Sequence, residues 1–197
     1  MWVKICGMTT PAAVDAAVAA GADAIGFVFA PSVRRVAPAH AAMLAAPARG
    51  RARCVAVMQH PSQAEVTAML AEFAPDVLQT DSEDFAALDL PASLERLPVL
   101  RAGRELPTQL PRRVLYEGAR SGAGEVADWT RAAQLCVRNV EVVLAGGLTP
   151  ENVDSAVRAV RPFGVDVSSG VESAPGVKSA ARIAGFVAAA RAAGREG

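Results

Sequence analysis

The sequence predicts a single (β/α)8 barrel, and two observations carry that prediction. Eight short runs rich in β-branched residues alternate with longer alanine-rich stretches along the 197 residues, and no linker-like stretch divides them. Strict alternation of strand and helix demands a mostly parallel sheet with right-handed crossovers, and eight units favour closure into a barrel. The chain is shorter than the roughly 250 residues typical of such barrels, so an open doubly wound sheet remains the alternative. Residues 1–197 are expected to form one domain.

Each element is predicted from its own local pattern. Thr10 followed by Pro11 begins the first helix and Gly21 ends it, while Ser62 and Glu65 form a capping box for a later one. The segments 91–97 and 107–110 are predicted to be short or irregular. The predicted strands are 2–6, 24–29, 54–58, 77–79, 99–101, 114–116, 142–145 and 164–167. The predicted helices, caps included, are 10–21, 38–46, 62–73, 128–137, 150–160 and 179–193.

Composition and charge narrow the class of protein. Apolar residues make up 52% of the chain, and 20 basic residues balance 20 acidic ones. This balance gives no case for a nucleic-acid or membrane-surface partner, and no run approaches the roughly 20 apolar residues of a membrane-spanning helix. The chain starts in a strand-like segment without the features of a signal peptide, so the expected location is the cytoplasm. Cys6, Cys54 and Cys136 are too few and too scattered for a disulfide framework or a thiolate metal site.

The first and last strands carry reactive side chains toward the barrel interior. The active site of such a barrel lies at the C-terminal ends of the strands. Alternation puts Lys4 and Cys6 on the inward face of the first strand, and Asp166 on the inward face of the last. We expect Lys4 and Asp166 to pair, because each then compensates the buried charge of the other. Cys6, at the mouth, has two interpretations: a catalytic thiol or a small buried hydrophobic residue.

Two glycine-bearing turns follow the seventh and eighth strands. The first contains Gly146 and Gly147, and the second contains Ser168, Ser169 and Gly170. Glycines let backbone N–H groups approach an anion closely, and serine hydroxyls add donors. Barrels of this type often bind phosphate at these two loops. The pattern therefore predicts a phosphorylated small-molecule substrate.

A longer glycine-rich loop, residues 118–128, ends in an acid at the start of a helix. Glycine-rich loops over a site can act as mobile lids. The residues alone leave two roles open for Asp128, since an aspartate at this position can be an N-cap or a catalytic acid.

Several segments together resemble the phosphoribosylanthranilate isomerase family of tryptophan biosynthesis. They occur in family order and extend from residue 4 to residue 178. The segments are 4–9 (KICGMT), 26–29 (GFVF), 32–36 (SVRRV), 144–153 (LAGGLTPENV) and 164–172 (GVDVSSGVE) with 176–178 (GVK).

The resemblance implies a (β/α)8 isomerase that needs neither metal nor cofactor. Its reaction is the Amadori rearrangement of N-(5-phosphoribosyl)anthranilate to 1-(2-carboxyphenylamino)-1-deoxyribulose 5-phosphate. By position in the matching segments, the resemblance implies that Cys6 is the general base and Asp128 the general acid. It likewise implies that Arg34 holds the anthranilate carboxylate. The loops at Gly147 and at 168–170 correspond to the phosphate grip. A thiol is a base only as thiolate, so we expect positive charge near Cys6, with Lys4 the best candidate. The oligomeric state is expected to be a monomer or a homodimer.

Some positions depart from the family pattern. The strand-four motif usually reads Gln-Leu-His-Gly, whereas Thr80 and Asp81 follow Gln79 here. Glu117 stands where an aspartate usually ends the sixth strand, Val33 replaces a proline, and the lid sequence at 121–124 is looser than usual. These departures bear on substrate fit and rate more than on reaction type, because the expected acid and base are both present.

Three other functions are weighed against this one. The related histidine-pathway isomerase performs the same rearrangement, but with an aspartate in place of Cys6 and a substrate that carries two phosphates. A metal-dependent sugar-phosphate epimerase needs inward histidines at strand ends, whereas His40 and His60 lie in helix or loop contexts typical of the surface. A catalytically silent barrel would bind phosphorylated ligands as a sensor, and the presence of both Cys6 and Asp128 argues against it.

Overall fold

Eight parallel strands close into a barrel in the computed structural model, which describes residues 1–119 and 127–195. Each strand pairs with its neighbour in sequence, and the first pairs with the last through Trp2 opposite Gly164. The predicted barrel is confirmed, and the open doubly wound sheet is wrong. The strands are Trp2–Cys6 (β1), Ala24–Val28 (β2), Arg53–Val57 (β3), Val77–Asp81 (β4), Glu95–Arg101 (β5), Arg113–Glu117 (β6), Glu141–Leu144 (β7) and Gly164–Val167 (β8).

Helices cover the outside of the barrel where the sequence signals them. Thr10 accepts a hydrogen bond from the Ala13 N–H, and Ser62 and Glu65 form the predicted capping box. Both caps satisfy N–H groups that have no partner inside the helix. The α-helices in the described residues are Pro11–Ala19 (α1), Pro38–Ala45 (α2), Gln63–Glu72 (α3), Trp129–Val137 (α4), Val153–Val160 (α5) and Ala180–Ala193 (α6). Within these residues, none of the helices is long and apolar enough to cross a bilayer.

The structure corrects the prediction on one side of the barrel. Residues 95–97, predicted as part of a short or irregular segment, begin β5 and pair with Val77–Gln79 of the adjacent β4. The Glu95 carboxylate binds Arg113 on the adjacent β6 and Arg53 on β3, one strand further away. Only the 3-10 helix Ser82–Ala86 lies between β4 and β5, and residues 107–110 are irregular as predicted. A short hairpin after β8, Glu172–Ala174 (β9) with Val177–Lys178 (β10), was not predicted.

Two apolar cores flank the barrel wall. Alternate residues of β1, Val3 and Ile5, pack outward in the larger core beneath the helices. A smaller cluster fills the barrel interior and includes Val55, Val99 and Val143. Lys4 and Cys6 alternate with Val3 and Ile5 along β1 and therefore face the barrel interior, as predicted.

Candidate active site

A cavity opens at the C-terminal ends of the strands, where this fold class places its active sites. Strand ends and loops from both halves of the chain contribute to its wall. Of the residues predicted for the site, Cys6, Arg34, Asp166 and Ser168 line this cavity. Gln79, Arg101 and Glu117 also line it, although the sequence analysis assigned them no role in the site.

Lys4 and Asp166 form an ion pair inside the barrel, which confirms the predicted pairing. They lie directly opposite each other on β1 and β8, and Lys4 Nζ is 2.8 Å from Asp166 Oδ1. Lys4 is completely buried. Burial alone would lower the pKa of Lys4, but Asp166 and the neighbouring Cys6 raise it above its ordinary value. Lys4 thus stays charged and acts on the cavity through these two neighbours, while direct contact with substrate stays a prediction.

The Cys6 thiol is buried at the end of β1, beside Lys4. Burial raises the pKa of Cys6 and Lys4 lowers it, with Asp166 raising it and Lys178 lowering it further. The expected positive charge is present next to the thiol, but the effect of burial is larger and the pKa lies above its ordinary value. In the unliganded protein Cys6 is therefore a thiol at neutral pH.

The hairpin after β8 holds Arg34 against the rim of the cavity. The Glu172 carboxylate accepts hydrogen bonds from Arg34 Nε at 2.7 Å and from Arg34 Nη2 at 2.8 Å. It also accepts from Lys178 Nζ at 2.7 Å and from the Gly176 N–H at 3.1 Å. Burial alone would raise the pKa of Glu172, but the bonds from Arg34 and Lys178 lower it to about 2. The sequence analysis missed Glu172 and Lys178 as site residues, although both lie in segments that carry the resemblance.

Ser168 joins the end of β8 to the end of β1. Its hydroxyl donates to the carbonyl oxygen of Cys6 at 3.1 Å. Lys178 Nζ donates to the Ser168 carbonyl at 2.8 Å and lies 3.3 Å from its hydroxyl. Burial lowers the pKa of Lys178. The Ser168 hydroxyl and the Lys178 ammonium thus lie in the same corner of the site as Cys6.

The predicted phosphate loops pack against each other. Gly146 and Gly147 turn the chain with φ angles of 90° and 62°, in the region that favours glycine. A Cβ on Gly170 would overlap the carbonyl oxygen of Leu148, so the two loops touch backbone to backbone. The exposed Ser169 begins the short 3-10 turn Ser169–Val171. The fold brings the two loops together, and phosphate binding between them stays a prediction.

Asp128 is the N-cap of α4, one of the two roles that the sequence left open. Its Oδ1 accepts a hydrogen bond from the Arg131 N–H at 3.0 Å, and the residue is exposed. This capping bond engages one carboxylate oxygen and does not decide whether Asp128 also acts as an acid. The catalytic role of Asp128 therefore stays a prediction. The glycine-rich lid sequence at 121–124 lies outside the described residues.

Two of the positions expected to depart from the family motifs, Asp81 and Glu117, bind the same side chain. Arg101 on β5 is buried and donates to Asp81 on β4 from Nε at 2.7 Å and from Nη2 at 3.1 Å. Arg101 Nη1 donates to Glu117 on β6. Two acidic residues at strand ends thus hold one guanidinium across three adjacent strands. A buried cation requires such pairing.

The two histidines are both exposed, as predicted. His60 Nδ1 lies 2.9 Å from Asp84 Oδ1, and His60 Nε2 lies 3.5 Å from Asp81 Oδ2. One ligand atom from each of these residues falls within 4.8 Å of the others, the spacing of a possible metal site. The two ring nitrogens face different carboxylates, and Arg101 already engages both oxygens of Asp81. The group is therefore a hydrogen-bonded cluster at the rim.

Comparison with known proteins places this geometry in a family. The family model described as N-(5'phosphoribosyl)anthranilate (PRA) isomerase matches residues 3–189. The chain belongs to the phosphoribosylanthranilate isomerase family. Among its members, the N-(5'-phosphoribosyl)anthranilate isomerase of Nitrobacter winogradskyi is 40% identical over 97% of this chain and 93% of its own length.

Solved structures of phosphoribosylanthranilate isomerases share the barrel over nearly its whole length. The enzyme from Thermus thermophilus has a TM-score of 0.84 and 31% identity, and the match covers 98% of this chain and 99% of that one. A second phosphoribosylanthranilate isomerase has a TM-score of 0.79 and 28% identity, with the same coverage, and was solved in complex with reduced 1-(o-carboxyphenylamino)-1-deoxyribulose 5-phosphate.

Proposed function

We propose that the chain, as one (β/α)8 domain, isomerises N-(5-phosphoribosyl)anthranilate in tryptophan biosynthesis. The observation that carries this proposal is the Cys6 thiol, held beside the Lys4 ammonium in the cavity that Arg34 and Ser168 share. A thiol with a cation next to it, an arginine at the rim and two glycine-bearing loops fit a substrate with an acidic proton, a carboxylate and a phosphate. The reduced ligand bound to the relative described above carries the last two groups.

The rearrangement needs two proton transfers on opposite sides of the sugar. Asp128 donates a proton to the ring oxygen, which opens the furanose and leaves a protonated Schiff base between C1′ and the anthranilate nitrogen. Cys6 then removes the proton on C2′, and the resulting enolamine tautomerises to the ketone. Proton transfers alone complete this sequence, so a metal or redox cofactor is not required. Each positioned acid or base contributes roughly 10²–10⁴-fold to the rate.

Ring opening supplies the charge that Cys6 needs. Burial keeps the free thiol protonated, but the Schiff base is a cation one bond away from the carbon that Cys6 deprotonates. An additional positive charge in a buried site favours the thiolate, and the thiol proton passes to solvent before Cys6 accepts the proton of C2′. The first step thus prepares the base for the second, with Lys4 supporting the ionised thiol throughout.

Arg34 and the two loops orient the substrate. Glu172 takes two of the five N–H donors of the Arg34 guanidinium. The opposite edge of the planar group suits the anthranilate carboxylate, which can accept two parallel hydrogen bonds. Backbone N–H groups of the loops at Gly146 and Gly147 and at 168–170 bind the phosphate at the other end. Held at both ends, the sugar places C2′ over Cys6.

The protein is expected to act on this small phosphorylated molecule in the cytoplasm, as a monomer or homodimer. The decisive experiment generates phosphoribosylanthranilate in situ and adds the purified chain with EDTA present. Rapid loss of the anthranilate fluorescence of the substrate at catalytic protein concentration is the expected result. A folded sample without turnover would contradict the proposal and direct attention to the histidine-pathway substrate or to a silent barrel.

A further inference from the structure

The side chain of Gln79 faces the same cavity with an unused hydrogen-bond acceptor. Gln79 lies in the middle of β4 and is 7% exposed. Its backbone carbonyl accepts from the Met58 N–H in the sheet. Its side-chain Oε1 is buried, and no donor within residues 1–119 and 127–195 reaches it.

The residues that flank Gln79 in the sheet are apolar. Its register partners on the two adjacent strands are Val57 on β3 and Leu97 on β5, both of which pack in the interior apolar cluster. A buried amide oxygen without a partner destabilises the folded protein. Most buried polar groups in proteins are paired, so one that lines a cavity and finds no donor among the described residues suits a ligand as its partner.

We infer that Gln79 accepts a hydrogen bond from a sugar hydroxyl of the substrate, at or next to C2′. This inference rests on the proposed function. The groups that face the cavity elsewhere match the charged ends of the substrate, since Arg34 fits a carboxylate and the glycine-bearing loops fit a phosphate. The Gln79 amide oxygen needs a donor instead of an anion, and the hydroxyls of the opened sugar are donors that the substrate carries between its two charged ends. Gln79 then fixes the rotation of the sugar while Cys6 removes the C2′ proton.

The substitution Gln79→Leu separates binding from structure, because it removes the amide and keeps most of the side-chain volume. A merely structural glutamine would lower stability when lost. For a substrate ligand we expect the opposite combination: a urea unfolding midpoint equal to or above that of the wild type, with kcat/KM lowered about 10- to 100-fold. The matched control is the same substitution at Gln63 on α3, Gln63→Leu. The Gln63 amide accepts from the Asp89 N–H and donates to the Asp89 carbonyl, so this variant should lose stability and keep wild-type kinetics.

A ligand series identifies the hydroxyl. The reduced product analogue and versions lacking one sugar hydroxyl are titrated into the wild type and into Gln79→Leu. Removal of the relevant hydroxyl should weaken binding to the wild type and leave binding to Gln79→Leu unchanged. Wild-type kinetics in Gln79→Leu, or equal losses in both proteins for every analogue, would overturn the inference.

The same titrations separate this inference from the proposed function. If the wild type binds the analogue but shows no turnover, the proposed isomerase activity fails while the analogue series still tests Gln79. If the wild type neither turns over the substrate nor binds the analogue, both are overturned together.

Discussion

Arg34 and Glu172 form two parallel hydrogen bonds across 138 residues of sequence, with N–O distances of 2.7 and 2.8 Å. The pair joins the loop after β2 to the hairpin after β8. Lys178 binds the same carboxylate at 2.7 Å. One carboxylate thus fixes the two cations that flank the cavity, and its own pKa falls to about 2 as a result.

The free energy of unfolding should change less with pH in the acid range for Glu172→Gln than for the wild type. The folded pKa of Glu172 is about 2, below the ordinary glutamate value of about 4.3. At pH values above about 4.3, ionised Glu172 therefore adds at most about 3 kcal/mol to the free energy of unfolding, and this contribution disappears as the pH falls toward 2. Urea unfolding at neutral pH should show the wild type more stable than Glu172→Gln, with the gap closing in acid. Glu83→Gln, which breaks an exposed pair with Arg104, should differ from the wild type by less than about 1 kcal/mol. A gap that is constant with pH would contradict the assignment.

Cys6→Ala should abolish most turnover without unfolding the protein. Removal of the base should lower kcat by about 10²–10⁴-fold. Cys54→Ala is the matched control, because Cys54 is also buried but packs in the outer core. That variant should lose stability and keep its kcat. The comparison is made by substrate fluorescence decay and by thermal unfolding. Retention of near-normal turnover in Cys6→Ala would remove the thiol from the mechanism.

Asp128→Asn and Asp128→Ala distinguish the cap from the acid. Asparagine keeps an oxygen that can accept the Arg131 N–H bond, so Asp128→Asn should unfold like the wild type. Alanine removes the cap and should cost about 1 kcal/mol. If Asp128 is also the acid, both variants should lose about 10²–10⁴-fold in kcat. A wild-type kcat in Asp128→Asn would show that Asp128 caps the helix and is not the catalytic acid.

The pH dependence of the rate should differ between the free enzyme and the complex. Burial raises the pKa of Cys6 in the free protein, so kcat/KM should increase with pH above the ordinary thiol range. The Schiff base lowers this pKa in the complex, and the inflection in kcat should therefore lie at lower pH. Alkylation of Cys6 by iodoacetamide, measured with Cys54 and Cys136 both replaced by alanine, should follow the kcat/KM profile. Coincident inflections for kcat and kcat/KM would contradict charge supplied by the substrate.

Lys4 and Asp166 should be coupled in a double-mutant cycle. Lys4→Met leaves a buried carboxylate without its partner and should destabilise the protein by about 3–5 kcal/mol. The double variant Lys4→Met with Asp166→Leu should recover much of that loss, because an apolar pair needs no compensation. Its turnover should remain low, since Cys6 has lost its cation. Additive changes in unfolding free energy would show that the two residues do not interact.

The sequence predicted those parts of the site that lie on regular strands. Alternation along β1 and β8 placed Lys4, Cys6 and Asp166 on the inward face. The pairing of Lys4 with Asp166 followed from their opposite charges. Glu172 and Lys178 were not predicted because they lie on a short hairpin, where no hydrophobic period shows which way a side chain points. The start of β5 was missed for a related reason, since Glu95 favours a loop until Arg53 and Arg113 from other strands neutralise it.

The Lys4–Asp166 pair ties the assembly of the site to the progress of translation. The two residues are 162 positions apart, so a ribosome that adds about 5–20 residues per second makes Asp166 roughly 8–30 s after Lys4. During that interval β1 has no β8 to close against, and Lys4 and Cys6 are made long before Asp166, Ser168 and Lys178. A nascent chain that ends before β8 therefore carries Lys4 and Cys6 without the carboxylate that pairs with Lys4 in the closed barrel.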